Sequence, residues 1–263
     1  MKNNLLVLAA IVLLASCKTE TKQTTITEET VAETPLREYP EDIAAIFKAH
    51  GGIDAWNAMN NLCFTLPKGD IEEVHTVDLK SRKTRIETPA YTLGFDGEKV
   101  WLKQDSLAFK PERARFYHNL MFYFYAMPFV LGDEGITYSE APALSKDGVD
   151  YPGTKISFED GVGDASDDNY IIYRDPSTNQ MAWLAYTVTY GKEGPSERYS
   201  YIKYDKWQEV NGLQLPSELQ WYNVEEGQPT EMRNAMNFTK PTATPTQLDK
   251  NLFEKPADGT FAE

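Results

Sequence analysis

Cysteine is nearly absent: Cys17 and Cys63 are the two in 263 residues. Two thiols cannot build the disulfide framework of a small secreted domain. Basic residues are also short, with 26 Lys+Arg against 40 Asp+Glu and a formal net charge of -14. That deficit argues against nucleic acid as a partner, because such binding rests on cations set against phosphates. Histidine occurs three times, as His50, His75 and His118, and no two stand at metal-ligand spacing. The strings G-x-S-x-G, H-E-x-x-H, G-x-x-x-x-G-K-S/T and C-x-x-C do not occur, so no known hydrolase, zinc, phosphate-loop or dithiol motif marks an activity. Gly161-Val162-Gly163-Asp164-Ala165-Ser166 lacks the third glycine of a dinucleotide loop and precedes a strand rather than a helix. What remains is an ordinary globular composition, 41% hydrophobic and 12% aromatic, enough for one large domain or two small ones.

The N-terminus reads as an export signal. Lys2 supplies a positive start, and Leu5 to Ala15 is an unbroken apolar run. It is shorter than the roughly 20 residues of a spanning helix. Leu14-Ala15-Ser16-Cys17 closes the run with small residues before a cysteine. This resembles the bacterial lipobox, which implies cleavage after residue 16 and acylation of Cys17 by palmitate-like chains. Two or more acyl chains, at roughly 0.8 kcal/mol per buried methylene, anchor stably. Lys18 follows Cys17, with no Asp there, a pattern that goes with the outer membrane in enterobacterial sorting. Residues 17–38, rich in Thr, Glu and Lys, carry too few apolar side chains to pack and are expected to be a flexible tether. The apolar context of Leu62-Cys63-Phe64 makes Cys63 a buried free thiol.

Beyond the tether, a helix is expected over Glu41 to Ala49, stopped by Gly51-Gly52, and a second over Ile53 to Met59. Strands follow: two within Ile71 to Glu87, then Tyr91 to Phe95 and Lys99 to Lys103 around the Asp96-Gly97 turn. Residues 112–131 form an aromatic helical segment, apolar nearly all round, which Pro128 kinks or splits. Strands then resume at Ile136–Ser139, Thr154–Phe158, Tyr170–Arg174, Met181–Tyr190, Glu197–Asp205, Leu213–Val224 and Glu231–Phe238. Leu213, Leu215, Leu219 and Trp221 alternate with polar neighbours, as in an antiparallel sheet with one wet side. Met181–Tyr190 is apolar on both faces and belongs mid-sheet. The Pro- and Thr-rich tail is expected to wrap the surface.

The order of several strings carries a resemblance. Ala49-His50-Gly51-Gly52 precedes Trp56, and Gly94-Phe95-Asp96-Gly97 precedes Trp101. Tyr173-Arg174-Asp175-Pro176 leads into a long strand, and Tyr204-Asp205-Lys206-Trp207 runs to Asn211-Gly212-Leu213-Gln214-Leu215-Pro216. Together they resemble a family of uncharacterised Gram-negative lipoproteins with the LolA/LolB-like fold, over roughly residues 40–240. The resemblance implies a mainly β (α+β) protein: a curved antiparallel half-barrel of about 10–12 strands covered by N-terminal and mid-chain helices. The cavity between sheet and helices binds acyl chains in the lipoprotein carriers. The organisation expected is a signal peptide at 1–16, anchor and tether at 17–38, a half-barrel at 39–240 and a tail at 241–263.

The resulting expectation is a lipid-anchored cell-envelope protein, monomeric and non-catalytic, that holds an apolar or amphipathic ligand such as a lipid or lipoprotein acyl chain. No cofactor is implied. The expected wall residues are Phe116, Leu120, Phe124, Met127, Trp183, Leu184, Tyr186, Trp221 and Met236, which supply shape and apolar contact. Two other readings stand beside it. The acidic loop at 159–168 offers Asp160, Asp164 and Asp168 as oxygen ligands for Ca²⁺, or as carboxylates of a secreted hydrolase; as a solvated turn it would do neither. An open sheet edge could instead recruit protein partners to a solid scaffold. His50 is expected to cap its helix as a cation, His75 to sit on a strand face, and His118 to lie on the aromatic helix.

Overall fold

A computed structural model of the chain describes residues 37–158, 168–190, 194 and 196–262. Contacts divide the chain into Met1–Arg37 and Glu38–Glu263, and every element below belongs to the second unit. Helix α1 spans Glu41–Ala49, with Glu41 and Asp42 in its first turn and Lys48 in its last, charges that suit its dipole. Ile43, Ile46 and Phe47 form its buried stripe. Gly51 and Gly52, at φ 104° and 97°, end it in a conformation that side chains with a Cβ rarely adopt. Helix α2 spans Ile53–Asn57.

The strands fall into two antiparallel sheets of seven. The first holds β1 (Asn61–Lys68), β2 (Ile71–Asp78), β3 (Thr84–Glu87), β4 (Tyr91–Phe95) and β5 (Val100–Gln104), with β13 (Thr239–Thr244) and β14 (Thr260–Phe261) at its edges. The second holds β6 (Ile136–Lys146), β7 (Val149–Phe158), β8 (Tyr170–Arg174), β9 (Met181–Tyr186), β10 (Ser200–Val210), β11 (Leu213–Glu225) and β12 (Gln228–Asn237), in spatial order from β12 to β6. The architecture is mainly β and not closed into a barrel. Its strand count among the described residues, fourteen, exceeds expectation by the two C-terminal strands β13 and β14, and other strands are longer than expected. The segments Ile136–Ser139 and Thr154–Phe158 are the far ends of one long hairpin, joined by Asp147-Gly148 with positive φ at both residues, the two-residue turn that matches strand twist. The segment 241–263, expected to wrap the surface, is built into the first sheet at both edges.

The chain steps between the sheets twice: through the helical segment between β5 and β6, and directly where β12 ends at Asn237, Phe238 follows, and β13 begins at Thr239. Phe238 is buried, and its amide donates to Ser217 O. At the opposite end, β6 forms the other edge of the second sheet, and its pairing with β7 breaks between Ala141 and Leu144, around Pro142.

The aromatic segment is broken twice. After a 3-10 turn at Pro111–Arg113 come α3 (Ala114–Tyr117), α4 (Leu120–Tyr125) and α5 (Met127–Val130), with Pro128 in the first turn of α5. The second break sits where Pro128 demands it, since its ring forbids a continued helical bond. Alternate residues of β1, β8, β9, β10 and β11 face α1, α4 and α5 in one large core. Phe122, Tyr125 and Phe129 fill it, all at most 1% exposed. Trp56 stacks on Phe129 with ring centroids 4.8 Å apart. A smaller core of Ile86, Leu93, Val100, Leu102 and Ala114 seats α3 on the first sheet.

Candidate functional site

The wall residues named from sequence divide into four groups. Met127 and Leu184 are sealed in the main core. Trp183 lies on the other side of the sheet, packed with Tyr173, Tyr201 and Tyr222. Its neighbour Leu184 faces inward, and successive strand residues point to opposite faces, so Trp183 drops out of the wall. Phe116 stands apart on α3 against Tyr190, at 5.1 Å between ring centroids. The rest converge. Phe124 meets Tyr186 at 5.0 Å and Trp221 at 6.0 Å, both edge-on. The Trp221 indole N–H donates to the Tyr186 hydroxyl at 3.2 Å. Leu120, Tyr186 and Met236, with Tyr123, Phe158 and Tyr170, are half-buried against the main core, in which Phe124 and Trp221 are buried. The result is an aromatic rim between α4 and the inner face of the second sheet, apolar but incompletely covered. Tyr204 fixes its helical side by donating to Phe124 O at 2.7 Å. A separate surface depression of about 330 Å³ is lined by Glu197, Arg198, Tyr199, Val224, Glu226 and Gly227, none of them among the wall residues.

Of the acidic-loop residues, Asp160 and Asp164 lie outside the described residues. Asp168 is 8% exposed, and its Oδ1 accepts from the Thr189 amide at 2.6 Å and hydroxyl at 2.8 Å. Among the described residues no group of three His, Cys, Asp or Glu side chains could hold a metal ion.

All three histidines are buried, and one expectation is reversed. His50 stands at the C-cap of α1, but its imidazole carries no charge there. Its Nε2 accepts the Met181 amide at 3.0 Å, so it is unprotonated, and Nδ1 donates to Gln214 O at 3.0 Å. Burial drives its pKa down to about 4, against the Gln214 bond that favours the cation. His50 is thus a pin between α1 and the second sheet, and the desolvation cost of a buried cation outweighs the helix dipole. His118 is buried with Nδ1 at 2.5 Å from Arg115 O.

His75 belongs to a polar cluster that sequence reasoning missed. Glu73, His75 and Val77 share the buried face of β2. Glu73 is fully buried, and its carboxylate accepts from His75 Nε2 at 2.9 Å, Lys68 Nζ at 2.8 Å, Tyr117 OH at 2.6 Å and Tyr91 OH. Burial alone would raise its pKa; the hydrogen bonds from His75, Lys68 and Tyr117 outweigh this and hold it at about 2. Burial lowers the His75 pKa against the raising influence of Glu73, and both tyrosines are pushed up by burial and by Glu73. The available signal was the period of two: Glu73-Val74-His75 places an acid and a base on the face that Val77 marks as interior. Cys63 is a half-buried free thiol, raised by burial and approached by the Thr76 hydroxyl at 3.8 Å.

These features define a class: an open antiparallel fold of two sheets, with helices filling the shared face and a half-covered aromatic rim. Residues 99–239 match the model of DUF6503, a family of unknown function, and the chain belongs to that family. No curated protein matches it. Similar solved structures include a LolA superfamily protein from Nitrosomonas europaea, 10% identical over 74% of this chain and 88% of that one, with a TM-score of 0.45. A DUF1329 family protein from Desulfovibrio piger is 11% identical over 82% and 98%, with a TM-score of 0.46. An outer-membrane lipoprotein-sorting domain, so described, from Vibrio parahaemolyticus is 7% identical over 78% and 96%, with a TM-score of 0.39.

Proposed function

We propose that this protein binds an apolar or amphipathic ligand, a lipid or acyl chain, at the rim where α4 meets the second sheet, and does so without catalysis. The observation that supports this is the half-buried set of Leu120, Tyr186 and Met236 at the margin of the core that holds Phe124 and Trp221. An incompletely covered apolar patch marks an interaction site. The tyrosine hydroxyls at its margin suit an amphipathic ligand, whose polar end needs partners. The lipobox-like Leu14-Ala15-Ser16-Cys17 fits a protein held at the cell envelope by acyl chains on Cys17, on the outer membrane by the Lys18 criterion. Among the described residues no helix is long and apolar enough to cross a membrane.

The test uses the chain carrying Cys17→Ser, which leaves every described residue in place, and the neutral dye Nile red. Saturable binding is expected, weakened about tenfold by Trp221→Ala. Absence of saturation, or an unchanged affinity in the variant, would end this reading.

A further inference from the structure

The rim has a polar end, and it carries a positive charge. Register across β11 and β12 pairs Leu219 with Met236 and Trp221 with Asn234, and then shifts at Tyr222, which pairs with Met232. Arg233 is the residue left over in that bulge. A bulge re-aims a side chain out of strict alternation. The Arg233 Nε donates to Asn234 Oδ1 at 3.2 Å, so its side chain leans over the position opposite Trp221. Its charge also acts on the Tyr186 hydroxyl, where it is opposed by that of Asp168. Arg233 is exposed, and no carboxylate among the described residues pairs with it. In a chain with 40 acidic and 26 basic residues, a cation without an acidic partner beside an apolar rim calls for an anion.

Tyr186 adds a donor. Its oxygen accepts from the Trp221 indole, so the phenolic proton is directed elsewhere. The nearby acid, Asp168, is already engaged by Thr189. Two donors, one of them charged, therefore flank one end of an otherwise apolar surface.

Resting on the binding reading above, we propose that the ligand is a long-chain carboxylate, its chain laid along the half-buried Leu120 and Met236 at the margin of the core and its head held by the Arg233 guanidinium and the Tyr186 hydroxyl. The planar guanidinium fork matches a carboxylate, and a charge-assisted hydrogen bond is about twice as strong as a neutral one. The net negative charge of the protein does not forbid this, since charges more than about 8 Å away are largely screened at physiological salt.

The experiment is displacement of Nile red from the Cys17→Ser chain by dodecanoate and by dodecanamide, which share a chain and differ in head charge. Arg233→Gln is expected to raise the dodecanoate concentration needed about tenfold while leaving that of dodecanamide within about twofold. Arg233→Lys is expected to restore part of the loss. Equal effects of Arg233→Gln on both ligands, or none on either, overturn the carboxylate assignment while leaving the apolar site intact. Failure of Nile red itself to bind removes the site and this assignment together.

Discussion

At the scale of single residues, two positions near the end of α1 govern how the helix meets the sheet. A Cβ on Gly51 would stand 2.2 Å from the Gly212 carbonyl oxygen, in the turn between β10 and β11, whereas one on Gly52 would meet nothing within 4 Å. Both have positive φ, so backbone strain is shared and only the clash differs. Gly51→Ala is expected to cost at least about 2 kcal/mol more than Gly52→Ala in urea unfolding. Equal losses would show that the approach is not tight. His50 gives a pH signature. Its folded pKa of about 4 lies below its ordinary 6.5, so between those values the unfolded chain binds a proton that the folded one does not. Stability is complete above pH 6.5 and falls as pH drops towards 4, by on the order of 3 kcal/mol. Unfolding midpoints at pH 7 and 4.5 should reveal the drop, and His50→Gln should flatten it. The sequence marked this histidine as a helix cap and mistook its charge, because its acceptor Gln214 and donor Met181 lie more than a hundred residues away.

At the scale of elements, the Glu73 cluster clasps α3 to the first sheet. Tyr117 is the last residue of α3, and its hydroxyl reaches Glu73 on β2 while Lys68 on β1 bonds to both. A four-residue helix has little stability of its own, so this buried carboxylate and the small core beneath Ala114 must hold it. Tyr117→Phe is expected to cost about 1–2 kcal/mol, and Glu73→Ala about 3 kcal/mol or more because His75 is left without its buried partner. A double-mutant cycle with near-additive losses would deny the clasp. Because the Glu73 pKa is depressed from 4.5 to about 2, its contribution is whole above pH 4.5 and is lost as pH falls towards 2. Elements were the most legible part of this chain. Helix α1 and strand β4 begin and end where periodicity and glycine place them. The aromatic segment reads as helical and kinked or split at Pro128; the further break near His118-Asn119 follows from α3 docking on a different core from α4, a tertiary demand without local signal.

At the scale of the whole molecule, the C-terminal segment closes the first sheet. Trp101 is fully buried, and its indole donates to Phe253 O at 2.9 Å. Phe253 is itself buried, and Phe261 pairs with Trp101 across β5 and β14. A chain ending at Thr246 should expose Trp101, seen as a red shift in tryptophan emission and a fall in Tm of several degrees; an unshifted spectrum would contradict the docking. Pro- and Thr-rich composition pointed to a surface wrap here, because edge strands are short and tolerate proline where central ones do not. The rim was partly legible for the same kind of reason. Alternation placed Trp221 and Leu219 inward, but which helix would cover them, and that Arg233 sits in a bulge, depend on pairings no single strand encodes.

The interruption around Pro142 bears on how such a molecule survives crowding. Strand β6, eleven residues long, is the outermost described strand of its sheet, a template on which a second copy could stack into fibrils. Pro142 has no amide hydrogen to lend, and the irregular stretch to Leu144 bends the margin away from a straight ladder. Purified chains carrying Pro142→Val should therefore gather into thioflavin-positive aggregates sooner than their parent, an ordinary proline having served as a guard against self-assembly.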